Sequence, residues 1–254
     1  MRATTGRLLL FGVLSTLLAL AIGGAEVSAV SASADTGTIM GSGKVVSQIR
    51  TVSSFDKLSV GGIGTVVLTQ GKSPSLTVEA EDNLQPYLST EVTNSTLRIG
   101  VHTPQGQSIT ATKPIRYLLT VPKLTRVDLS GAIALETTTF KSDSFTLNLS
   151  GSGSAKLTHF QATSFTAVIT GAGEISISGQ VRQQTINISG AGRYTANDLT
   201  SSTAKIDVSG AGSATVNVHD SLDATVSGAG SILYAGHPQV TQNVSGAGSV
   251  QATD

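Results

Sequence analysis

Ser189-Gly190-Ala191-Gly192, Ser209-Gly210-Ala211-Gly212, Ser227-Gly228-Ala229-Gly230 and Ser245-Gly246-Ala247-Gly248 are one four-residue run returning through the second half of the chain. Earlier variants stand at Ser130-Gly131-Ala132-Ile133, Ser150-Gly151-Ser152-Gly153 and Thr170-Gly171-Ala172-Gly173. Their first glycines lie 20, 20, 19, 20, 18 and 18 residues apart. So regular a period marks a stacked repeat.

The residue before each Ser or Thr is aliphatic in all seven repeats: Leu129, Leu149, Ile169, Ile188, Val208, Val226 and Val244. Two residues earlier the side chain is again mostly apolar, from Val127 and Leu147 to Ile206 and Ala224, with Gln242 the exception. Between these positions lie Asp128, Asn148, Val168, Asn187, Asp207, Thr225 and Asn243. Beyond the corner, Leu135, Ala155, Ile175, Tyr194, Ala214, Ile232 and Val250 share a second apolar position. Alternation with period two, into a glycine corner and out again, describes short strands with one buried face. A single unit cannot bury that face. Units stacked about 4.8 Å apart can, with aliphatics piled inside and Asn, Asp and Thr outside. The expected fold is all-β: a right-handed parallel β-helix or β-solenoid, its repeats of about 20 residues carrying Ser-Gly-Ala-Gly corners. An antiparallel meander is the alternative, and the near-equal period favours the solenoid. Gly131, Gly151, Gly171, Gly190, Gly210, Gly228 and Gly246 are the expected structural corners, where positive φ and close backbone approach need glycine.

Residues 1–34 read as a Sec-type signal peptide: Arg2 and Arg7, an apolar run Leu8–Ile22, and small-residue cleavage options at Val27-Ser28-Ala29 and Ala32-Ser33-Ala34. The run is shorter than the roughly 20 residues of a membrane span. Cleavage is therefore expected, with no stable membrane insertion afterwards and a periplasmic, cell-surface or secreted product. Residues 35–50 mix Gly, Ser, Thr and Lys and read as a flexible lead-in that ends in a first strand at Val45 and Val46. Residues 51–254 form the domain, with N-terminal strands over 51–123 and the repeat ladder over 124–254. In the first part, Leu76-Thr77-Val78-Glu79-Ala80 alternates as a half-buried strand, Glu81–Ser89 breaks the pattern with room for one helical turn, and Thr103–Thr112 is the longest loop.

Formal net charge is zero and 13% of residues are charged, so no long-range field draws nucleic acid, which is not an expected partner. The absence of Cys removes disulfides, thiolate metal sites and a lipidated cysteine. The glycine corners carry neither a dinucleotide fingerprint nor the recurring Asp of a calcium roll. His219-Asp220, near Asp223, is the one His/carboxylate grouping, and it reads as a surface loop. Asp128 and Asp207 are four turns apart, about 20 Å, too far for an acid/base pair. Glu79, Glu81 and Asp82 read as a solvated strand end. Trp is absent; Tyr194 and Tyr234 are expected to fill the core. No catalytic, cofactor or metal set is expected. Asp128, Asn148, Asn187, Asp207 and Asn243 are the candidate contact ladder.

Phe55-Asp56-Lys57-Leu58-Ser59-Val60-Gly61-Gly62-Ile63-Gly64-Thr65-Val66-Val67-Leu68-Thr69-Gln70-Gly71 resembles the opening of the head-GIN domain family, as do Val121-Pro122-Lys123-Leu124 and the later corners. The resemblance covers about 45–252. It implies an envelope-exposed, solenoid-like domain with an adhesion role by name, and it carries no catalytic residues over. No translocator barrel follows the last repeat, so Sec export is the expected route. The expected function is a non-catalytic adhesion or interaction module whose partner is a surface glycan or an envelope protein. A polysaccharide lyase or glycosidase is an alternative. So is a structural envelope protein that forms homo-oligomers through the solenoid end, since an unpaired strand edge can pair with another chain.

Overall fold

The computed structural model describes residues 37–104 and 107–253, so the signal-peptide segment lies outside the described residues. The N-terminal part comprises β1 (Thr38–Met40), β2 (Val45–Arg50), β3 (Lys57–Gln70), β4 (Ser75–Glu81), a 3-10 turn at Gln85–Tyr87, β5 (Leu88–Thr93), β6 (Thr96–Val101), β7 (Ser108–Thr110) and β8 (Arg116–Val121). The ladder follows as β9 (Arg126–Thr137), β10 (Phe140–Gly151), β11 (Ser154–Gly171), β12 (Glu174–Gly190), β13 (Arg193–Gly210) and β14 (Ser213–Gly228). It ends in β15 (Ser231–Ala235), β16 (Gln239–Gly246) and β17 (Ser249–Ala252). Strand makes up 75% of the described residues, wound into a β-solenoid of about six turns.

Every pairing from β9 to β17 is parallel, which decides for the solenoid and against the meander. The register runs through the corners: Gly131 pairs Gly151, then Gly171, Gly190, Gly210, Gly228 and Gly246 in turn. On the other side Gly131 pairs Gly62 of β3, an eighth corner that the repeat spacing does not reveal. Several ladder strands are 16–18 residues long because hydrogen bonding to the neighbouring coil continues around the bends.

The two glycines of each corner serve different purposes. Gly210 has φ +111°, and a Cβ built there would lie 2.7 Å from the carbonyl oxygen of Gly190 in the coil below. Gly212 lies on the inner side, where a Cβ would sit 2.5 Å from Cγ2 of Ile188. The first glycine thus allows a left-handed bend and backbone contact, while the second makes room for the aliphatic side chain of the preceding coil. The ladder persists across the bend, with Ala211 N–H donating to Gly190 O at 2.9 Å and Ser213 N–H to Gly192 O at 3.0 Å.

Inside, the alternating positions stack as the sequence implies, and Leu149, Ile169, Ile188, Val208 and Val226 are buried on one another. Two features were not evident from the repeat. Phe140, Phe145, Phe160 and Phe165 form one cluster, with ring centroids 5.4–6.3 Å apart; such pairs add about 0.5–1.5 kcal/mol each beyond burial. Next to it runs a buried polar chain. Tyr194 Oη donates to Gln184 Oε1 (2.9 Å), Gln184 Nε2 to Ser201 Oγ (2.7 Å), and Ser201 Oγ to the carbonyl of Asn217 (3.0 Å). Each member is satisfied, as a low-dielectric interior demands. Tyr194 is fully buried as expected, whereas Tyr234 is half-buried.

The N-terminal part closes one end of the stack. β3 runs parallel to β9, β8 and β6, and then the direction changes: β4 is antiparallel to β8 and β2 antiparallel to β4. The lead-in expected to be flexible is therefore partly strand. Thr38–Met40 pairs Ser108–Thr110, inside the expected loop, and Val45–Arg50 covers β4. Its alternation is invisible because its outer side chains face solvent, Ile49 being 86% exposed.

Gly210→Val should lower stability by several kcal/mol, of order 2–5, since it combines a disallowed φ with a backbone clash. Thermal denaturation followed by circular dichroism checks this; an unchanged midpoint would refute the corner geometry.

Candidate functional site

The outer surface of the strands leading into the corners is built from three in-register columns. The central one is the predicted ladder: Asp128, Asn148, Val168, Asn187, Asp207, Thr225 and Asn243 pair successively, and Ser59 continues it towards the N-terminus. On one side stand Arg126, Thr146, Thr166, Thr185, Lys205, Asp223 and Thr241; on the other, the corner Ser and Thr residues. Side chains two apart on a strand lie on one face, so amides, carboxylates and hydroxyls form a grid with a step of about 4.8 Å along the stack.

The structure brings neighbouring ladder residues together and keeps the two ladder aspartates apart. Asn148 Nδ2 donates to Asp128 Oδ1 at 2.6 Å, and Arg126 Nε reaches both Asp128 oxygens at 3.0 and 2.8 Å. Partial desolvation raises the Asp128 pKa, but the Arg126 hydrogen bond, the Asn148 amide and the charges of Arg126 and Arg98 outweigh it. The carboxyl is held below its usual range. Asp128 is therefore an anchored anion. In the same grid Asp223 pairs with Lys205 at 3.4 Å. His219 and Asp220 are exposed, but they lie within β14 and not in a surface loop as expected.

One acidic residue departs from expectation. Glu81 is fully buried, not part of a solvated strand end. Its carboxylate accepts the N–H of Gly43 (2.6 Å), the N–H of Thr112 (2.9 Å), the N–H of Lys113 (3.4 Å) and the Thr112 hydroxyl. The Thr112 hydroxyl bond first, and then these backbone donors, hold its carboxyl below the usual range against the opposing effect of burial. Gly41 lies so close that a Cβ there would overlap the carboxylate. Asp82 adds a second tie, accepting from Ser42 Oγ at 2.6 Å and facing Lys44 at 3.4 Å. Residues 40–44 thus wrap an acidic corner, and the spacing of polar residues alone did not reveal it. Among the described residues no group of His, Asp and Glu has metal-site geometry, and no helix is long and apolar enough to cross a membrane.

Residues 54–238 match the family described as "putative auto-transporter adhesin, head GIN domain", and the chain belongs to that family. Among solved structures, a putative adhesin from Bacteroides fragilis superposes with a TM-score of 0.79 at 22% identity, covering 85% of this chain and 100% of its own. A putative lipid binding protein from Parabacteroides distasonis gives 0.69 at 22% identity with the same coverages. A putative adhesin from Parabacteroides merdae gives 0.66 at 20% identity, covering 86% and 100%. These likenesses establish the shared fold. No functionally curated protein matches the sequence.

The Glu81 tie predicts a local acid response. A carboxyl whose pKa is lowered by folding stabilises fully above its unfolded value, and that contribution disappears as pH falls through the folded value. Hydrogen-exchange protection at Gly43 and Thr112 should fall on acidification before that of β11–β13. Glu81→Gln should show reduced protection there already at neutral pH. Uniform protection loss across the chain would contradict this.

Proposed function

We propose that this chain is a non-catalytic adhesion module, exported to the envelope or cell surface, that holds a repetitive partner on its outer grid. The preferred partner is a surface glycan, ahead of an envelope protein. One observation carries the reading: seven ladder positions stay in register along the stack, so hydroxyls and amides recur at a fixed step. A polymer with its own repeat can make the same hydrogen bond many times on such a surface, and many weak contacts sum to avidity. Family membership supports adhesion, and the anchoring of Asp128 supports a binding role over acid catalysis, which uses a raised carboxyl pKa.

Binding of the purified chain to a panel of glycans and envelope polymers, with product release followed in the same wells, tests the proposal. Saturable binding without product is expected. Replacing Thr146, Asn148, Thr185 and Asn187 by Ala should weaken it by about tenfold or more through lost repeated contacts, with the circular dichroism spectrum retained. Product release would overturn the non-catalytic reading, and undiminished binding by the variant would remove the grid from the site.

A second reading rests on the last coil. Among the described residues β16 pairs only β14 and β17 only β15, leaving an edge beside Val244, which is 41% exposed. Two copies joined edge to edge across a two-fold axis would close it. Sedimentation should then show a dimer that Val244→Lys disperses; a monomer at all concentrations would exclude it.

A further inference from the structure

A groove of about 760 Å³ is lined by residues that precede the polar grid on successive coils and belong to none of its columns. It runs along the stack across β10, β11, β12 and β13, about 15 Å at the spacing of stacked strands. Its floor is an in-register row: Lys141 pairs Gln161, which pairs Gln180. Lys123 and Arg182 also line it, with one carboxylate, Asp143. A chain with zero net charge therefore concentrates three cations to one anion in a single groove. Among the described residues none of these three cations is in an ion pair.

The cations stand on segments that the fold holds in place. Gln70 clamps two of them: its Nε2 donates to the carbonyls of Pro122 (3.1 Å) and Lys141 (3.0 Å), and its Oε1 accepts the N–H of Lys141 (2.9 Å). Ser142 Oγ bonds the carbonyls of Leu124 (3.1 Å) and Ser144 (2.9 Å), tying the same two segments again. The backbone beneath Lys123 and Lys141 is thereby fixed, while their ammonium groups remain exposed to solvent.

We infer that this groove binds a linear, polyhydroxylated anionic polymer, its carboxylate or phosphate groups on Lys123, Lys141 and Arg182 and its hydroxyls on Gln161 and Gln180. The lining contains no aromatic side chain. Neutral sugars and single-stranded nucleic acid gain much of their affinity by stacking on aromatic faces, which this groove does not offer. Cations opposite amides suit a chain that alternates acid groups with hydroxyls. The open, straight shape fits a polymer threaded along the axis. The groove and the polar grid share none of these residues, so the two proposals can fail independently.

Surface plasmon resonance of the purified chain over immobilised polygalacturonate and poly(glycerol phosphate) tests this, with dextran and duplex DNA as comparison surfaces. Saturable binding to at least one of the two acidic polymers is expected, weakening about tenfold between about 0.05 M and about 0.5 M salt as screening grows. Which polymer binds distinguishes a carboxylate from a phosphate source. The triple variant Lys123→Gln, Lys141→Gln, Arg182→Gln should lose about tenfold or more. A control triple, Arg116→Gln, Lys156→Gln, Arg193→Gln, removes equal charge at exposed positions outside both the groove and the grid and should bind within about twofold of the parent. All three proteins should share one circular dichroism spectrum. The proposal is overturned by no binding to either acidic polymer, by equal loss in both triples, or by equally tight binding to DNA, which would reduce the groove to generic charge.

Discussion

The structure depends on a close contact between backbones. At each corner the carbonyl oxygen of one glycine occupies the space where a side chain on the next coil's glycine would begin; for Gly210 above Gly190 that distance is 2.7 Å. Strand spacing of about 4.8 Å leaves no room for a Cβ at that point. Every coil is therefore locked to its neighbour at the same residue. Because side chains alternate with period two, that lock also decides which ones point inward. A slip of one residue would turn Leu149 or Ile188 outward and bury the ladder, so corner register and core formation are a single constraint.

The outer surface follows from the inner one. Once the aliphatic columns are aligned, the intervening positions are aligned as well, whatever they are. The polar grid is thus a by-product of stacking that is available for binding, and its variation between Asn, Asp, Thr and Val is tolerated because solvent faces it. Asp128 shows how an isolated carboxylate is accommodated there, with Arg126 on its own strand and Asn148 on the next coil. The charged groove has a different origin. Its cations stand on the segment after β8 and on β10 and β12 ahead of the grid, and Gln70 ties two of these segments together.

The N-terminal part solves a problem that the repeats create. A parallel stack exposes an edge, and unpaired edges invite association. Turning β4 and β2 antiparallel closes that end with strands whose outer side chains can be polar. The buried carboxylate of Glu81 then holds the covering segment by gathering donors from Gly43, Thr112 and Lys113. Buried charge is tolerable only because those hydrogen bonds compensate its desolvation.

The sequence by itself determined the solenoid, its period, its corner glycines and the inward and outward columns, because each repeats the same steric and hydrophobic demand every 18 to 20 residues. Features that occur once were not legible. Gly62 as an eighth corner, the Tyr194–Gln184–Ser201 chain and the Glu81 clamp join residues without a shared periodicity, and the Phe cluster, although Phe140 and Phe160, like Phe145 and Phe165, lie one period apart, forms only when the stack brings its two columns together. Lys123, Lys141 and Arg182 are likewise scattered charges until the coils are stacked. Local pattern specifies which face a residue takes; only the stacked fold decides which distant residues meet, because their proximity depends on the winding of the whole chain.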